Sequence, residues 1–287
     1  MNQDILVQIQ ENMSSFSKGQ KRIASFIMSS YDKAAFMTAS KLGQTANVSE
    51  STVVRFAAEL GYDGYPSMQK SLQKMIRNRL TSVQRIEMAN DQIDNQDIVA
   101  SVLRSDISML RSTIEELDRG MFDRAVTAIL EGRRIYIMGV RSASAISHFL
   151  AFYLNLICDN VCEISASTTS EVFEQILRIG PEDVFIGACF PRYSSRTIKA
   201  MQYAHDQGAK VIAITDSELS PAAAKADITL VARSDMASFV DSLVAPLSVV
   251  NALLVAVSQK CNENVSDTFS RLEHIWDEYD VYEKTER

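Results

Sequence analysis

Arginine and hydroxyl side chains crowd one short turn, 192–197, which reads Arg-Tyr-Ser-Ser-Arg-Thr. The apolar run before it, 184–188, predicts a buried strand, and the amphipathic segment after it predicts a helix that ends at Gly208. The start of a helix offers free N–H groups and a positive dipole, and arginine adds charge. The turn therefore predicts an anion site. The alternative is that Ser194 or Ser195 only caps the helix.

Two further hydroxyl clusters, 142–144 and 165–170, follow predicted strands at 135–140 and 161–164. Apolar runs at 211–215 and 228–231 complete a predicted five-stranded parallel sheet flanked by helices. Such sheets bind ligands outside the carboxyl ends of their strands, so three clusters at one edge predict a phosphorylated or polyhydroxylated ligand. The candidate ligand residues are Ser142, Ser144, Ser165, Ser167, Arg192, Ser194, Ser195 and Thr197.

The region before the sheet is predicted to be all helical. Predicted helices at 38–46 and 49–60 are separated only by Asn47 and Val48, which is the spacing of a helix-turn-helix. Gly43 permits a close helix crossing, and Asn47 suits a turn position with positive φ. A plain helical hairpin is the alternative. The candidate groove-reading residues lie outward at the start of the second of these helices: Ser49, Ser51, Thr52 and Arg55.

Charge is distributed unevenly along the chain. Residues 1–80 carry ten Lys/Arg and six Asp/Glu, a net charge of +4. The net charge of the whole chain is −7, so residues 81–287 carry −11. A basic front region on an acidic body predicts that only the front meets a polyanion, here double-stranded DNA. Lys70, on a fourth helix predicted from Ser67 to about Leu80, is a candidate phosphate contact, although a solvated helix face explains it as well.

The predicted domains are a DNA-binding domain at 1–80, a linker and connector helix at 81–117, and an α/β effector domain at 118–287. The stretch from Thr81 to Asp97 is polar and lacks periodicity, which is typical of a linker. The connector helix that follows has apolar residues on two sides, which suits dimerisation. We therefore expect a homodimer or a homotetramer.

Composition sets the remaining expectations for this chain of 287 residues. It has no signal sequence and no run of 18 apolar residues, so we expect a soluble cytoplasmic protein with no membrane partner. Four cysteines lie in apolar surroundings. Cys158 and Cys162 are four residues apart, but the sequence offers no second pair of ligands with which they could hold a metal ion. All four cysteines are interpreted as buried free thiols, and neither a metal nor a cofactor is expected.

Two segments are similar to a known family. The first, 47–62, reads Asn-Val-Ser-Glu-Ser-Thr-Val-Val-Arg-Phe-Ala-Ala-Glu-Leu-Gly-Tyr; the second begins at 208–217 and continues through Ser220-Pro221 and 226–230. Through them nearly the whole chain resembles the RpiR-type (MurR/RpiR) bacterial transcription regulators. The resemblance implies a helix-turn-helix domain joined to a sugar isomerase (SIS) domain that senses a phosphosugar.

The chain departs from the usual family pattern in two loops. The first loop of the family commonly reads Gly-Val-Gly-Ala-Ser, whereas this chain has Gly-Val-Arg-Ser-Ala, with Arg141 in place of a glycine. The third loop commonly reads Ser-x-Ser-Gly-x-Thr, and here it gains arginine while keeping Ser194 and Thr197, for which the resemblance most directly implies phosphate binding. A sugar phosphate or a sugar acid is the expected effector.

The competing hypothesis is an enzyme, an aldose-ketose sugar-phosphate isomerase with an accessory helical domain. Isomerisation needs a base that moves a proton between adjacent carbons. His148, His205 and His274 are expected in helices, and Glu171 is the best candidate base. The dipole of the helix start also explains a glutamate at that position. We therefore assign no catalytic residue and prefer the regulator.

Overall fold

A computed structural model describes residues 5–77, 83, 97–236 and 240–283. The chain divides into a helical unit, 1–85, and an α/β unit, 86–287. The predicted linker from Thr81 to Asp97 lies almost wholly outside the described residues, and the predicted domain limits stay predictions.

Six helices form the described part of the first unit. They are α1 (Ile5–Glu11), α2 (Lys18–Ser29), α3 (Tyr31–Ala34), α4 (Ala39–Ala46), α5 (Glu50–Glu59) and α6 (Gly64–Arg77). Ser17 and Gln20 form a capping box at the start of α2, which satisfies two orphan N–H groups. The apolar side chains of these helices meet in one core, where the rings of Phe16 and Phe56 lie 5.0 Å apart.

The fourth predicted helix begins earlier than the sequence indicated. We expected it from Ser67, but α6 starts at Gly64. The N–H groups of the first helical turn have no partner within the helix, so proline, which lacks an N–H, is tolerated there. Pro66 therefore fits in the first turn of α6. The predicted end near Leu80 and the side chains of Lys74 and Arg77 lie outside what the structure describes.

Two helices precede the sheet of the second unit. Asp97 caps α7 (Ile98–Glu116), and Asp118 caps α8 (Arg119–Glu131). The Oγ1 atom of Thr113 accepts a hydrogen bond of 2.9 Å from the N–H of Arg233, which ties α7 to the loop after the last strand. Elsewhere on α7, Val99, Leu103 and Ile114 are exposed.

The predicted five-stranded parallel sheet is confirmed. Its strands are β1 (Ile135–Gly139), β2 (Val161–Glu163), β3 (Val184–Ala188), β4 (Lys210–Thr215) and β5 (Ile228–Val231), in the order β2-β1-β3-β4-β5. All neighbouring pairs are parallel. The accompanying helices are α9 (Ser144–Leu154), α10 (Thr169–Gln175), α11 (Ser195–Asp206), α12 (Val244–Lys260) and α13 (Asn262–Glu278).

Each face of the sheet buries its own apolar core, because successive strand residues point to opposite sides. Ile137 and Ile186 pack with α8, α9 and α12 on one face. Tyr136 and Phe185 pack with α10 and α11 on the other. Since helices cover both faces, the strands are largely apolar, and a sheet of this kind binds its ligands outside the carboxyl ends of the strands.

The apolar pattern of the sequence indicated two helices beside the sheet, at 145–157 and 171–179, and both have different bounds. The first is α9, which ends at Leu154. The second is α10, which begins two residues earlier, where Thr168 caps it, and already ends at Gln175. All four cysteines are free thiols, as expected, but only Cys189 is buried, whereas the other three are half-buried.

No single described helix has both the length and the apolar character needed to cross a membrane. One sharply bent pair, Val244–Lys260 with Val265–Glu278, passes the same test on length and composition alone. Within the described ranges, no group of three or more His, Cys, Asp or Glu side chains is arranged to hold a metal ion.

Candidate functional site

A cleft of about 520 Å³ opens at the carboxyl ends of β1, β2 and β3. The strand order reverses between β1 and β3, because the chain passes from β1 outward to β2 and then back to β3 on the other side. Open α/β sheets bind ligands at such a switch point. The lining residues are Gly139, Val140, Arg141, Ser144, Glu163, Ile164, Ser165, Ala166, Thr169, Ser194 and Arg196.

The first loop turns back immediately after β1. A side chain at Gly139 would place its Cβ atom 2.3 Å from the carbonyl oxygen of Ala143, so only glycine fits there. Arg141 then adopts a left-handed conformation with φ of 58°. The Ser144 hydroxyl donates a 2.6 Å hydrogen bond to the carbonyl oxygen of Arg141, which holds that conformation.

The third loop leads into the start of α11. The Ser194 hydroxyl caps the helix by accepting a 3.3 Å hydrogen bond from the N–H of Thr197. The Arg196 side chain reaches across the cleft, where its Nη1 atom donates to the carbonyl oxygen of Ala166 in the second loop at 3.0 Å. The second and third loops are thus joined at the site.

The third loop begins at Cys189, whose thiol has low reactivity. Cys189 is 2% exposed, and burial raises its pKa to about 11. A thiol with so high a pKa is almost wholly protonated at neutral pH, and the thiolate is the reactive form. Cys189 is therefore a packing residue.

Glu171, the candidate base of the enzyme hypothesis, is a helix cap. Its Oε2 atom accepts hydrogen bonds from the N–H groups of Ser167 at 2.7 Å and Thr168 at 3.2 Å, within a capping box. These bonds hold the pKa of the Glu171 carboxyl below its ordinary value. A carboxylate stabilised in this way is a weak base, and it does not line the cleft.

The structure brings together only part of the predicted ligand set. Ser144, Ser165 and Ser194 line the cleft. Four other candidates are exposed or partly exposed outside the lining: Ser142, Ser167, Arg192 and Ser195. Thr197 is wholly buried, and its Oγ1 atom has no hydrogen-bond partner among the described residues.

Sequence reasoning left four polar lining residues out of the candidate set: Arg141, Glu163, Thr169 and Arg196. The signal for Arg141 was present, since it replaces a family glycine. Glu163 was hidden inside a predicted strand, and its Oε2 atom lies 3.0 Å from the Nδ1 atom of His148. A histidine expected only as a helix residue therefore sits beside a lining carboxylate.

The helix-turn-helix has the predicted backbone geometry. Asn47 has a φ of 54°, the left-handed conformation expected at the turn. A Cβ atom on Gly43 would lie 3.0 Å from the carbonyl oxygen of Val48, so α4 and α5 cross as closely as glycine allows. Leu42 and Phe56 are fully buried between the helices. The Nη1 atom of Arg22 donates to the carbonyl oxygen of Asn47 at 3.2 Å and braces the turn.

The candidate groove readers lie at the start of α5. The Ser49 hydroxyl caps the helix by accepting from the N–H of Thr52, and it also bonds the hydroxyls of Ser51 and Thr52 at 2.9 and 2.8 Å. Ser51 and Arg55 are exposed, whereas Thr52 is half-buried. The Arg55 Nε atom donates to the carbonyl oxygen of Ser51 at 3.3 Å, which leaves its two Nη groups at the surface. Lys70 is exposed on α6.

Comparison with known proteins finds relatives among regulators. HexR, an HTH-type transcriptional regulator from Pseudomonas aeruginosa, is 23% identical over 261 residues, 89% of either chain. An uncharacterized HTH-type transcriptional regulator from Caldanaerobacter subterraneus, TTE0211, is 25% identical over 268 residues, 90% of this chain and 91% of its own.

Solved structures share the fold. The sugar isomerase domain of an RpiR transcription factor from Sphaerobacter thermophilus is 25% identical, with a TM-score of 0.60 over 62% of this chain and 99% of its own. The Vibrio vulnificus NanR protein, solved in complex with ManNAc-6P, is 22% identical, with a TM-score of 0.60 over 96% of this chain and 98% of its own.

Two family models match successive parts of the chain. Residues 3–79 match the helix-turn-helix domain of the rpiR family, and residues 128–256 match the SIS domain. These ranges hold the helix-turn-helix and the sheet with its cleft. The chain therefore belongs to the RpiR-type family of transcriptional regulators, in which a helix-turn-helix domain precedes a SIS domain.

Proposed function

We propose that this RpiR-type regulator controls genes of carbohydrate metabolism, binding DNA through α4 and α5 and a phosphorylated sugar through the cleft of its SIS domain. The observation that carries the proposal is the convergence of three polar loops at the switch point of the sheet. A cleft of this size and polarity suits a small, hydroxyl-rich ligand.

The phosphate of such a ligand is best placed at the start of α11. Ser195 and Arg196 are the first two residues of that helix, and their N–H groups have no carbonyl partner within it. Free N–H groups and the helix dipole favour an anion there, and Arg196 adds a full charge. The sugar hydroxyls would then meet Ser144, Ser165 and Thr169. NanR, which has a similar fold, was solved with a sugar phosphate, and this supports the ligand class.

The DNA partner would be a palindromic operator bound by a homodimer or a homotetramer. Exposed Ser51 and Arg55 at the start of α5 suit base contacts in the major groove. Exposed Lys70 suits a phosphate contact. Since the regulator acts on chromosomal DNA, its place in a bacterium is the cytoplasm.

We also propose that the SIS domain binds its sugar without converting it. Glu171 is fixed as a cap, and its lowered pKa makes it a poor base. Glu163, paired with His148, is the carboxylate that an isomerase would have to use. Incubation of the protein with aldose and ketose phosphates tests this point, because sustained turnover that Glu163→Gln abolishes would restore the enzyme hypothesis.

The decisive experiment measures coupling between the two ligands. Duplex DNA is first selected by the protein from random sequences, and sugar phosphates are screened by thermal shift, since a ligand at 100 times its dissociation constant adds about 2.7 kcal/mol of stability. The best sugar phosphate is then titrated calorimetrically with and without the selected duplex. Its affinity should change by roughly 5- to 150-fold, and the duplex affinity should change by the same factor.

Ser194→Ala supplies the control for this experiment. The variant should keep its affinity for the duplex in the absence of sugar phosphate and lose much of the response to it, because it removes the cap and hydroxyl that line the cleft. Equal sugar-phosphate affinities with and without the duplex would contradict the proposal.

A further inference from the structure

Two cationic side chains from different loops line the cleft. Three charged side chains line it: Arg141, Arg196 and Glu163. Glu163 is already paired with His148, whose Nδ1 atom lies 3.0 Å away. The two arginines come from different loops, Arg141 after β1 and Arg196 at the start of α11. They therefore present two separate cationic points to one ligand.

Arg196 and Arg141 differ in how they are held. One end of the Arg196 guanidinium is bound to the carbonyl oxygen of Ala166, and the residue belongs to the helix start that suits phosphate. The guanidinium of Arg141 has no hydrogen bond or ion pair with any residue that the structure describes. An arginine carries five N–H donors, so Arg141 offers an unused, planar recognition group at the cleft.

The backbone conformation of Arg141 makes a side chain at this position costly. Its φ of 58° is a left-handed conformation that disfavours every residue with a Cβ atom and that glycine adopts freely. The Ser144 hydroxyl fastens this conformation through the carbonyl oxygen of Arg141. A strained position at a binding cleft is one where function outweighs the conformational cost.

We propose that the cleft takes a phosphorylated sugar acid, with its phosphate at the start of α11 and Arg196, and its carboxylate on Arg141. This inference rests on the proposed sugar-phosphate site and adds a second acidic group to its ligand. A guanidinium pairs with a carboxylate through two parallel N–H···O bonds, which a sugar hydroxyl cannot form. Ser144 is then a positioning residue that sets the place of Arg141.

The test uses pairs of compounds that differ in the second acid alone. The first pair is 6-phosphogluconate and glucitol 6-phosphate, which are both open-chain, and the second is 3-phosphoglycerate and glycerol 3-phosphate. Gluconate serves as the carboxylate without a phosphate, and fructose 1,6-bisphosphate supplies a second phosphate instead of a carboxylate. Each is titrated calorimetrically into the full-length protein. Within at least one pair, the acid should bind about tenfold or more tightly than its partner.

Two variants assign the difference to Arg141. Arg141→Gly restores the residue that the left-handed conformation favours, so it should fold at least as stably as the wild type. It should erase the preference for the acid and leave the affinity for the phosphorylated partner that lacks the carboxylate within about twofold. Arg192→Ala, which removes an exposed arginine of the third loop that does not line the cleft, should leave the preference unchanged.

The outcomes separate this inference from the proposed function. Equal binding within both pairs, or equal losses for acid and phosphosugar in Arg141→Gly, would overturn the second acid site and keep the phosphate site. Preference for the bisphosphate that depends on Arg141 would overturn the carboxylate. If none of the phosphorylated compounds binds, the phosphate site fails and this inference fails with it.

Discussion

The hydroxyl of Tyr193 donates a 2.8 Å hydrogen bond to the Oδ1 atom of Asp216, joining the third site loop to the residue that follows β4. Asp216 is 3% exposed, so the bond lies in a shielded environment. Hydrogen bonds to a buried charged group are stronger than those at the surface. This bond fixes the loop that delivers Ser194 and Arg196 to the cleft.

Removing that hydroxyl should loosen the loop. We expect Tyr193→Phe to lower the free energy of unfolding by about 1–3 kcal/mol, because a buried carboxylate loses a donor. Binding of sugar phosphate should weaken as well. Urea unfolding and calorimetry measure the two effects, and Tyr203→Phe, whose ring packs on Phe173, is the control. Equal stabilities for the two variants would contradict the role of the bond.

Arg55 and Lys70 should affect DNA binding in different ways. Arg55→Ala should weaken binding to the selected duplex by about 1–3 kcal/mol and relax its sequence preference, because a base contact is lost. Lys70→Ala should weaken binding to all duplexes and reduce the slope of log affinity against log salt by about 1. Fluorescence anisotropy over a salt series distinguishes them. Arg55→Ala with an unchanged preference would mean that α5 does not read bases.

Gly43 should be required for the crossing of α4 and α5. Gly43→Ala adds a Cβ atom 3.0 Å from the Val48 carbonyl oxygen and 3.3 Å from the Glu50 nitrogen, both of them backbone atoms. Overpacking costs about 1–3 kcal/mol, more than the gain of about 0.5–1 kcal/mol in helix propensity. The melting temperature and the affinity for the duplex should both fall in Gly43→Ala. Replacement of the exposed Gln44 by alanine should change both quantities little. A stabilised Gly43→Ala protein would contradict the close crossing.

Thr197 should be replaceable by valine without loss of stability. Its buried hydroxyl has no partner among the described residues, and burying such a group costs about 1–3 kcal/mol. Thr197→Val keeps the shape and removes that cost. Thr215→Val is the matched control, because the Thr215 hydroxyl donates to Asp216 at 3.4 Å and its loss should destabilise. If urea unfolding shows a larger loss of stability for Thr197→Val than for Thr215→Val, the prediction is wrong and the Thr197 hydroxyl contributes to stability.

The cap at Glu171 should give stability a dependence on acid pH. The pKa of Glu171 is lowered in the folded state, chiefly by the N–H groups of Ser167 and Thr168. The ionised cap therefore stabilises the folded protein at pH values above the ordinary pKa of 4.5. This contribution is lost as pH falls through the folded pKa. The stability difference between wild type and Glu171→Gln should be present at pH 7 and shrink below about pH 4.5. Glu174→Gln on the same helix is the control, and a difference independent of pH would contradict the assignment.

The sequence by itself indicated the helix-turn-helix and the five strands of the sheet. The helix-turn-helix could be predicted because Gly43 and Asn47 have backbone requirements that local sequence makes visible, and the structure places them as expected. The strands could be predicted because burial on both faces demands continuous apolar runs, and those runs lie in the order that brings the polar loops to one edge.

Only the tertiary structure decided which polar side chains meet in the cleft. A residue's place in a loop does not fix the direction of its side chain, which depends on backbone conformation and on contacts from other loops. Thr197 turns into the core, whereas Ser194 lines the cleft, although both belong to one predicted cluster. Arg141 enters the cleft because its left-handed backbone is held by Ser144, and Arg196 because it reaches Ala166, thirty residues away in the chain.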